Sequence, residues 1–256
     1  MTPELSVAVR AADDAAAVLL THHRRGVLAE WKGVGDPVTV ADREAEHVIR
    51  SQLSTAFPDD LVVGEEGAEM LEVRVAGRRR WYVDPLDGTA NFLKGRRRWA
   101  VSIAFCDDDD EMAAAVVYAP VAGERFTAAR GLGAALDDTP LRAADTTDLA
   151  EALFCAGPNA GSFVDGDVGR LWRAMMTGRI TGSTALDLCD VACGRADVAL
   201  GAAQGRWDTA AGGLIAAEAG ASVTDGSGRR VPGPSEALVA AAPGIADELL
   251  RVLTSG

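Results

Sequence analysis

Apolar positions recur every three or four residues from the start of the chain. Over residues 3–30 alanine, leucine and valine alternate with charge at helical spacing, which predicts a first helix. A second is predicted over 41–57, where Ile49, Leu53 and Phe57 recur at four-residue steps and Pro58 ends the run. The pattern then shortens to strands: "LVVGEEG" running into an acidic corner, "RWYVD", "WAVSIAFC", "MAAAVVYAP", "ERFTAAR" and "GLGAALDD". The run "DDDDE" at 107–111 reads as the turn of a hairpin. From about residue 148 strand-like and helix-like segments alternate: "ALFCAG", 164–177, "RITG", 184–193, "ADVALG", 208–219, "ASVTD", "ALVAAAP" and a last helix near 245–254. Alternation of this kind predicts a layered α/β fold, and the change of texture predicts two halves, 1–147 and 148–256, packed together.

Composition narrows the function. The chain has 256 residues, 48 % of them apolar and 25 % charged, an ordinary balance for a water-soluble fold with a large core. No apolar run reaches the roughly 18–20 residues that cross a membrane, and the N-terminus lacks the basic start of a signal peptide. The expectation is a cytoplasmic protein without a membrane partner. A net charge of −13 argues against a nucleic-acid partner, which would call for the opposite sign. An acidic protein that handles an anion has to concentrate positive charge locally, and a bound metal does so. Cys106, Cys155, Cys189 and Cys193 lack the spacing of a zinc or redox motif and read as buried thiols. His22, His23 and His47 do not suggest a histidine metal site.

The acids beside glycines and strand ends are Asp42 in "TVADRE", Glu65 and Glu66 in "VVGEEG", Asp84 and Asp87 in "VDPLDGT", and Asp208 in "RWDTAAG". Each stands where a strand gives way to a loop or helix, the usual place for ligand groups in layered α/β folds. Any one of these stretches could be no more than a turn or a helix cap. Together they could form one site. Carboxylates brought close repel one another, and such a cluster is tolerable only with a cation; oxygen ligands without His or Cys select magnesium first and manganese second. Pro85 stiffens the turn so that Asp84 and Asp87 face one cavity, with the Leu86 carbonyl able to join them. Gly88 and Thr89 open a helix whose amides can hold a phosphate oxygen.

These residues carry a resemblance. "DPVTVAD" (36–42), "GEE" (64–66), "DPLDGTANF" (84–92) and "WDTAAGGLIAAEAG" (207–220) occur in order. The chain resembles the magnesium-dependent, lithium-sensitive phosphomonoesterases of the inositol monophosphatase family over nearly its whole length. "GSTALDLCDVACGRAD" (182–197) is similar to the family's stretch before the last motif. The resemblance implies a layered αβαβα sandwich of the inositol monophosphatase and fructose-1,6-bisphosphatase type, commonly a homodimer. It implies a first metal on Glu65, Asp84 and the Leu86 carbonyl and a second on Asp84, Asp87 and Asp208. A third, weaker metal is implied at Glu65. Phosphate would be held at Asp87, Gly88 and Thr89, and Thr89 paired with Asp42 would activate the attacking water. No phosphoenzyme is implied.

The expected substrate is a small phosphate ester. Inositol phosphate comes first within the resemblance; histidinol phosphate, a 3′-phosphoadenosine nucleotide and fructose 1,6-bisphosphate are alternatives, and a non-catalytic regulatory member of the fold is a distant one. The substrate-side residues would be Gly182, Ser183, Thr184, Gly201, Gln204, Arg206 and Arg97. Two positions depart from the family pattern. Gly201 stands where members carry a glutamate that contacts substrate hydroxyls, seven residues before the "WD" aspartate. Arg96 and Arg97 stand where members often have an apolar residue and proline. The run Arg96–Arg98 reads as a solvated surface, with the alternative that one arginine binds a second anionic group of the substrate. Lys32 is a weaker candidate for electrostatic support.

Overall fold

The computed structural model describes residues 1–26, 28–33, 36–65, 77–157, 167–202 and 205–254. Helix α1 (Pro3–Arg25) is capped by Thr2, whose hydroxyl accepts from the Leu5 N–H at 3.2 Å, and Pro3 sits in the first turn, where no N–H is needed. The helix ends at Arg25, short of the expected residue 30, because Gly26 adopts φ +73° and leaves the helical path. Strands β1 (Ala29–Gly33) and β2 (Asp36–Thr39) then form an antiparallel hairpin that the sequence pattern did not predict. Trp31 is 66 % exposed, so this hairpin does not bury the alternating apolar face that usually announces a strand. Helix α2 (Val40–Ala56) follows, within a residue of its expected span.

Seven described strands form the larger sheet, in the order β3 (Leu61–Gly64), β4 (Arg80–Asp87), β5 (Ala100–Cys106), β6 (Met112–Ala119), β7 (Glu124–Ala129), β8 (Gly133–Leu136) and β9 (Thr139–Pro140). The short helix α3 (Thr89–Leu93) interrupts it after β4. The central strands are buried on both faces, and residue size sorts the faces. Trp81, Val83, Val101, Ile103, Phe105 and Val116 meet α1 and α2, while Ala100, Ala104, Ala115 and Val117 point the other way. Bulky side chains on the first face fill the gap to two amphipathic helices; each one buried stabilises the fold by about 1.5–3 kcal/mol. The alanines on the second face let another helix layer approach closely.

The second sheet has the order β11 (Thr177–Ile180), β10 (Leu153–Ala156), β12 (Val198–Ala202), β14 (Ala237–Ala241) and β13 (Ser222–Thr224). Strands β10, β11 and β12 are parallel; β14 runs antiparallel to β12 and β13. Helices α5 (Thr184–Ala192) and α6 (Arg206–Glu218) lie between the two sheets, packed on the alanine face of the first. Helices α4 (Asp167–Ala174) and α7 (Ala246–Thr254) cover the far side through Leu171, Leu249 and Leu253. The layers are therefore αβαβα, as the resemblance implied. The expected helix over 164–177 is shorter where described, and the strand expected at "RITG" begins at Thr177.

Candidate active site

The register of β4 against β5 explains how two aspartates three residues apart share a cavity. Asp84 lies opposite Ser102 and Asp87 opposite Ala100, so three steps on β4 face two on β5. One residue is extra: the strand bulges at Pro85–Leu86. In a regular strand, side chains three apart point to opposite faces; the added residue restores both aspartates to one face. Pro85 is tolerated because a bulge does not need its missing N–H. The Asp84 carboxylate accepts from the Leu86 N–H at 2.8 Å and holds the bulge closed.

Asp208 arrives from the second half. It is the third residue of α6, and one of its oxygens accepts from the Gly205 N–H at 2.9 Å, reaching back to the residue before the helix. Its carboxylate joins those of Asp84 and Asp87, with ligand oxygens of all three within 4.8 Å of one another. Burial, with the charges of Glu65, Asp208 and Asp87, holds the Asp84 carboxyl well above the ordinary range. Burial, Asp87 and Glu65 do the same to Asp208. Carboxylates this crowded and buried favour keeping a proton between them when no cation is present. A divalent cation would replace that proton and pair both charges. The donors are all carboxylate or carbonyl oxygens, so this cluster fits a hard cation such as magnesium. Among the described residues, two other acidic groupings suit a cation less well. Arg98 already occupies the one at Cys155, Asp187 and Asp190, and the one at Asp107–Asp109 is largely exposed in a turn.

Asp87 does two jobs. Its Oδ2 accepts from the Ser183 hydroxyl at 2.5 Å and the Ala185 N–H at 3.0 Å, and its Oδ1 from the Thr184 N–H at 3.2 Å. These are the first amides of α5, and Ser183, its N-cap residue, makes no capping bond within its own helix. Asp87 thus caps, from the other half of the chain, a helix almost a hundred residues away in sequence. These bonds and the helix dipole favour its ionised form, but burial outweighs them and pushes its pKa up to about 6. Sequence spacing carried no signal for this contact.

Asp42 and Thr89 stand together. Asp42 closes the capping box of α2: its Oδ2 accepts from the Thr39 N–H at 2.9 Å and from the Thr39 hydroxyl, which in turn accepts from the Ala41 N–H. Its other oxygen faces the Thr89 hydroxyl at 3.3 Å. Burial raises the Asp42 pKa despite the Thr39 bonds. Thr89 Oγ1 also lies 3.0 Å from the Leu86 carbonyl, so its single proton serves one acceptor at a time. Gly88, before Thr89, has φ +95°; a Cβ there would sit 3.0 Å from the Arg98 carbonyl and 3.1 Å from that of Gly182. Only glycine fits this turn.

The substrate-side candidates separate. Ser183 reaches Asp87, and Thr184 meets it through its amide. Gly201 is buried on β12; a Cβ there would lie 3.0 Å from the Thr209 methyl and 3.2 Å from the Thr184 methyl. The space a glutamate would need is filled by two threonines. Arg206, at the start of α6, pairs with Glu236 at 3.1 Å. Arg97 donates to the Val121 carbonyl at 2.9 Å on the exposed surface, away from the bonding network of the carboxylates. The run Arg96–Arg98 is not uniformly solvated: Arg98 turns inward to Asp187 and Asp190 of α5. Glu66, Gln204 and the Lys32 side chain lie outside the described residues. A cavity of about 400 Å³ lies along α6, lined in part by Met112, Leu214, Val223 and Arg230, but it includes none of the clustered carboxylates.

The sequence profile of the inositol monophosphatase family matches residues 1–255. A Nus factor SuhB from Xylella fastidiosa is 36 % identical over 266 residues, covering 99 % of this chain and 95 % of that relative. An inositol-1-monophosphatase from Mycobacterium leprae is 40 % identical over 233 residues, covering 85 % and 78 % respectively. The crystal structure of an extragenic suppressor protein suhB from Bartonella henselae superposes with a TM-score of 0.90 at 33 % identity, covering 100 % of both chains.

Proposed function

Because the chain belongs to the inositol monophosphatase family, we propose that it is a magnesium-dependent phosphoric monoester hydrolase acting on a small polyol or sugar monophosphate, inositol 1-phosphate being the first candidate. One observation carries the reading: the bulge at Pro85–Leu86 gathers Asp84 and Asp87 with Asp208, and the Asp42–Thr89 pair lies beside them. Glu65, Asp84 and the Leu86 carbonyl would hold a first ion and Asp84, Asp87 and Asp208 a second, with a third, weaker ion at Glu65. Magnesium, or manganese in its place, would offset the carboxylate charge and polarise the phosphate and the attacking water.

The chain's own groups do the rest. The Gly88 and Thr89 amides, ahead of the first internal bond of α3, orient the phosphate oxygens beside Asp87. Thr89 gives its hydroxyl proton to Asp42 and accepts one from the attacking water. Burial makes Asp42 a better proton acceptor than an exposed aspartate. Water adds to phosphorus, the ester P–O bond breaks, the departing alkoxide takes a proton from solvent, and the alcohol and inorganic phosphate leave; no side chain bonds to phosphorus. Gly182, Thr184 and Arg206 stand on the leaving-group side in this reading, and Ser183 acts through Asp87. The halves 1–147 and 148–256 each supply part of the site.

We place the protein in the cytoplasm; among the described residues no helix is long and apolar enough to cross a membrane. We read it as a homodimer without a nucleic-acid partner. Trp172, Met176 and Ile180 are exposed around α4 and the edge strand β11, which suits a second copy. A phosphate-release screen with magnesium across inositol, sugar, histidinol and nucleotide phosphates tests the activity. Release that EDTA abolishes is expected; no release from any ester overturns the reading.

The names of the SuhB relatives favour a second reading, a Nus factor role. In cells, Asp87→Asn separates the two: the hydrolase reading expects loss of function, the Nus factor reading its retention.

A further inference from the structure

Asp87 is held by the first turn of α5, so whatever seats α5 also seats Asp87. Arg98, in the segment between α3 and β5, reaches across to that helix. Its Nη2 donates to Asp187 Oδ1 at 2.6 Å and to Asp190 Oδ2 at 2.9 Å. Asp187 also accepts from the Thr181 hydroxyl at 2.5 Å. The Asn91 amide ties the same two segments, donating to the Arg98 carbonyl at 2.8 Å and the Thr181 carbonyl at 2.9 Å. Arg195, already paired with Glu124, stands 3.9 Å from the outer oxygen of Asp190. Thus the segment that carries Gly88 and Arg98 is bolted to the segment Thr181–Ala185 that caps against Asp87.

This is not an exposed surface ion pair. The Asp187 side chain is 2 % exposed, and two carboxylates share the guanidinium. Arg98 Nε and Asp187 Oδ2 are buried without a hydrogen-bond partner. An arrangement that leaves buried polar atoms unpaired is costly as a purely structural pair, because hydrophobic residues in its place would often serve stability as well. Its specific effect is geometric: Arg98 fixes where the amides of Thr184 and Ala185 stand, and these fix the rotation of the Asp87 carboxylate.

We propose that Arg98 is a positioning residue: gripped by Asp187 and Asp190, it seats the N-terminus of α5 on Asp87 and so sets the affinity of the Asp84–Asp87–Asp208 cluster for its divalent cation. The inference rests on the metal-dependent reading above. It makes a prediction of sign. If Arg98 acted only through its charge, removing a cation from an acidic site would tighten metal binding. As a positioning group, its loss weakens binding, as the loss of a group that orients a metal ligand does, by about ten- to a hundredfold.

The test is direct binding of Mn²⁺ at pH 8, followed by electron paramagnetic resonance of the free ion, for the wild type, Arg98→Gln and Arg98→Lys. Circular dichroism and thermal unfolding report folding. Arg98→Gln is expected to weaken Mn²⁺ binding by about tenfold or more, and to raise the magnesium concentration for half-maximal activity in step, with kcat at saturating metal changed far less. Arg98→Lys keeps the charge on a shorter, differently shaped side chain that cannot place its nitrogen where Nη2 stands without moving α5, and is expected to fall between the two. Wild-type or tighter Mn²⁺ affinity in either folded variant overturns the proposal. A wild-type protein that binds no Mn²⁺ overturns the metal-dependent reading itself.

Discussion

Asp84 and Asp87 face the same cavity although they stand three positions apart on one strand, because a single extra residue at Pro85–Leu86 resets the alternation of β4 against β5. Ligand geometry and strand register are here one feature. A change to either aspartate therefore separates chemistry from folding only if it keeps the side chain's shape.

Asp87→Asn does so. The amide preserves volume and one acceptor oxygen for α5, but it removes the charge and one of the two accepting atoms. Turnover is expected to fall by about a hundred- to a thousandfold, the scale on which loss of one preorganised electrostatic group is felt. Steady-state phosphate release checks it, with circular dichroism to establish folding. Near-wild-type hydrolysis by the folded variant would sink the hydrolase assignment.

Gly88→Ala tests the turn. The alanine must adopt φ near +95° with its Cβ 3.0 Å from one carbonyl oxygen and 3.1 Å from another, both in backbone that cannot move aside cheaply. Strain of about 1–3 kcal/mol is expected, together with loss of phosphate binding. Denaturant unfolding measures the first and inhibition by inorganic phosphate the second. Unchanged stability would mean that the turn relaxes.

Gly201→Glu alone is not expected to confer recognition of a substrate diol. Its Cβ meets the methyls of Thr209 and Thr184, and overpacking of this kind costs about 1–3 kcal/mol. Combined with Thr184→Ala, part of the space returns, and stability is expected to recover by about 1 kcal/mol. Thermal unfolding of the single and double variants decides. A Gly201→Glu protein as stable as the wild type contradicts the packing argument.

Arg97→Ala is expected to leave the ratio of kcat/KM for a bisphosphate and a monophosphate substrate unchanged, since its guanidinium is engaged with the Val121 carbonyl. A selective loss on the bisphosphate would bring Arg97 back to the substrate.

Stability without metal should fall as pH rises. Asp87 ionises near pH 6 in the folded protein, against an ordinary value near 4 when unfolded, and Asp84 and Asp208 are raised as well. Between those values the folded state binds more protons than the unfolded one, so its advantage is present below about pH 4 and is lost as pH climbs through about 6. Magnesium should reverse the trend by binding the ionised form. Melting temperatures in EDTA and in magnesium at pH 5 and pH 8 measure this; a metal-free protein more stable at pH 8 than at pH 5 would contradict it.

Most of the local chemistry was determined by the sequence. Asp42, Asp84, Asp87, Thr89 and Asp208 stand at helix caps and strand ends because short-range rules place them there: an N-cap with its third residue, a proline in a bulge, a glycine with positive φ. Alternation and periodicity also determined the main helices and the layered class. Tertiary structure decided what those rules cannot reach. The hairpin at 29–39 escaped because its exposed Trp31 breaks the expected pattern. The capping of α5 by Asp87, the inward turn of Arg98 and the closure of Gly201 by two threonines each join residues made neighbours by packing between the sheets, and Arg98 and Asp187 are 89 positions apart. Sequence spacing encodes direction within an element; only the stacking of layers decides which elements meet, because burial of apolar faces, not local geometry, brings them together.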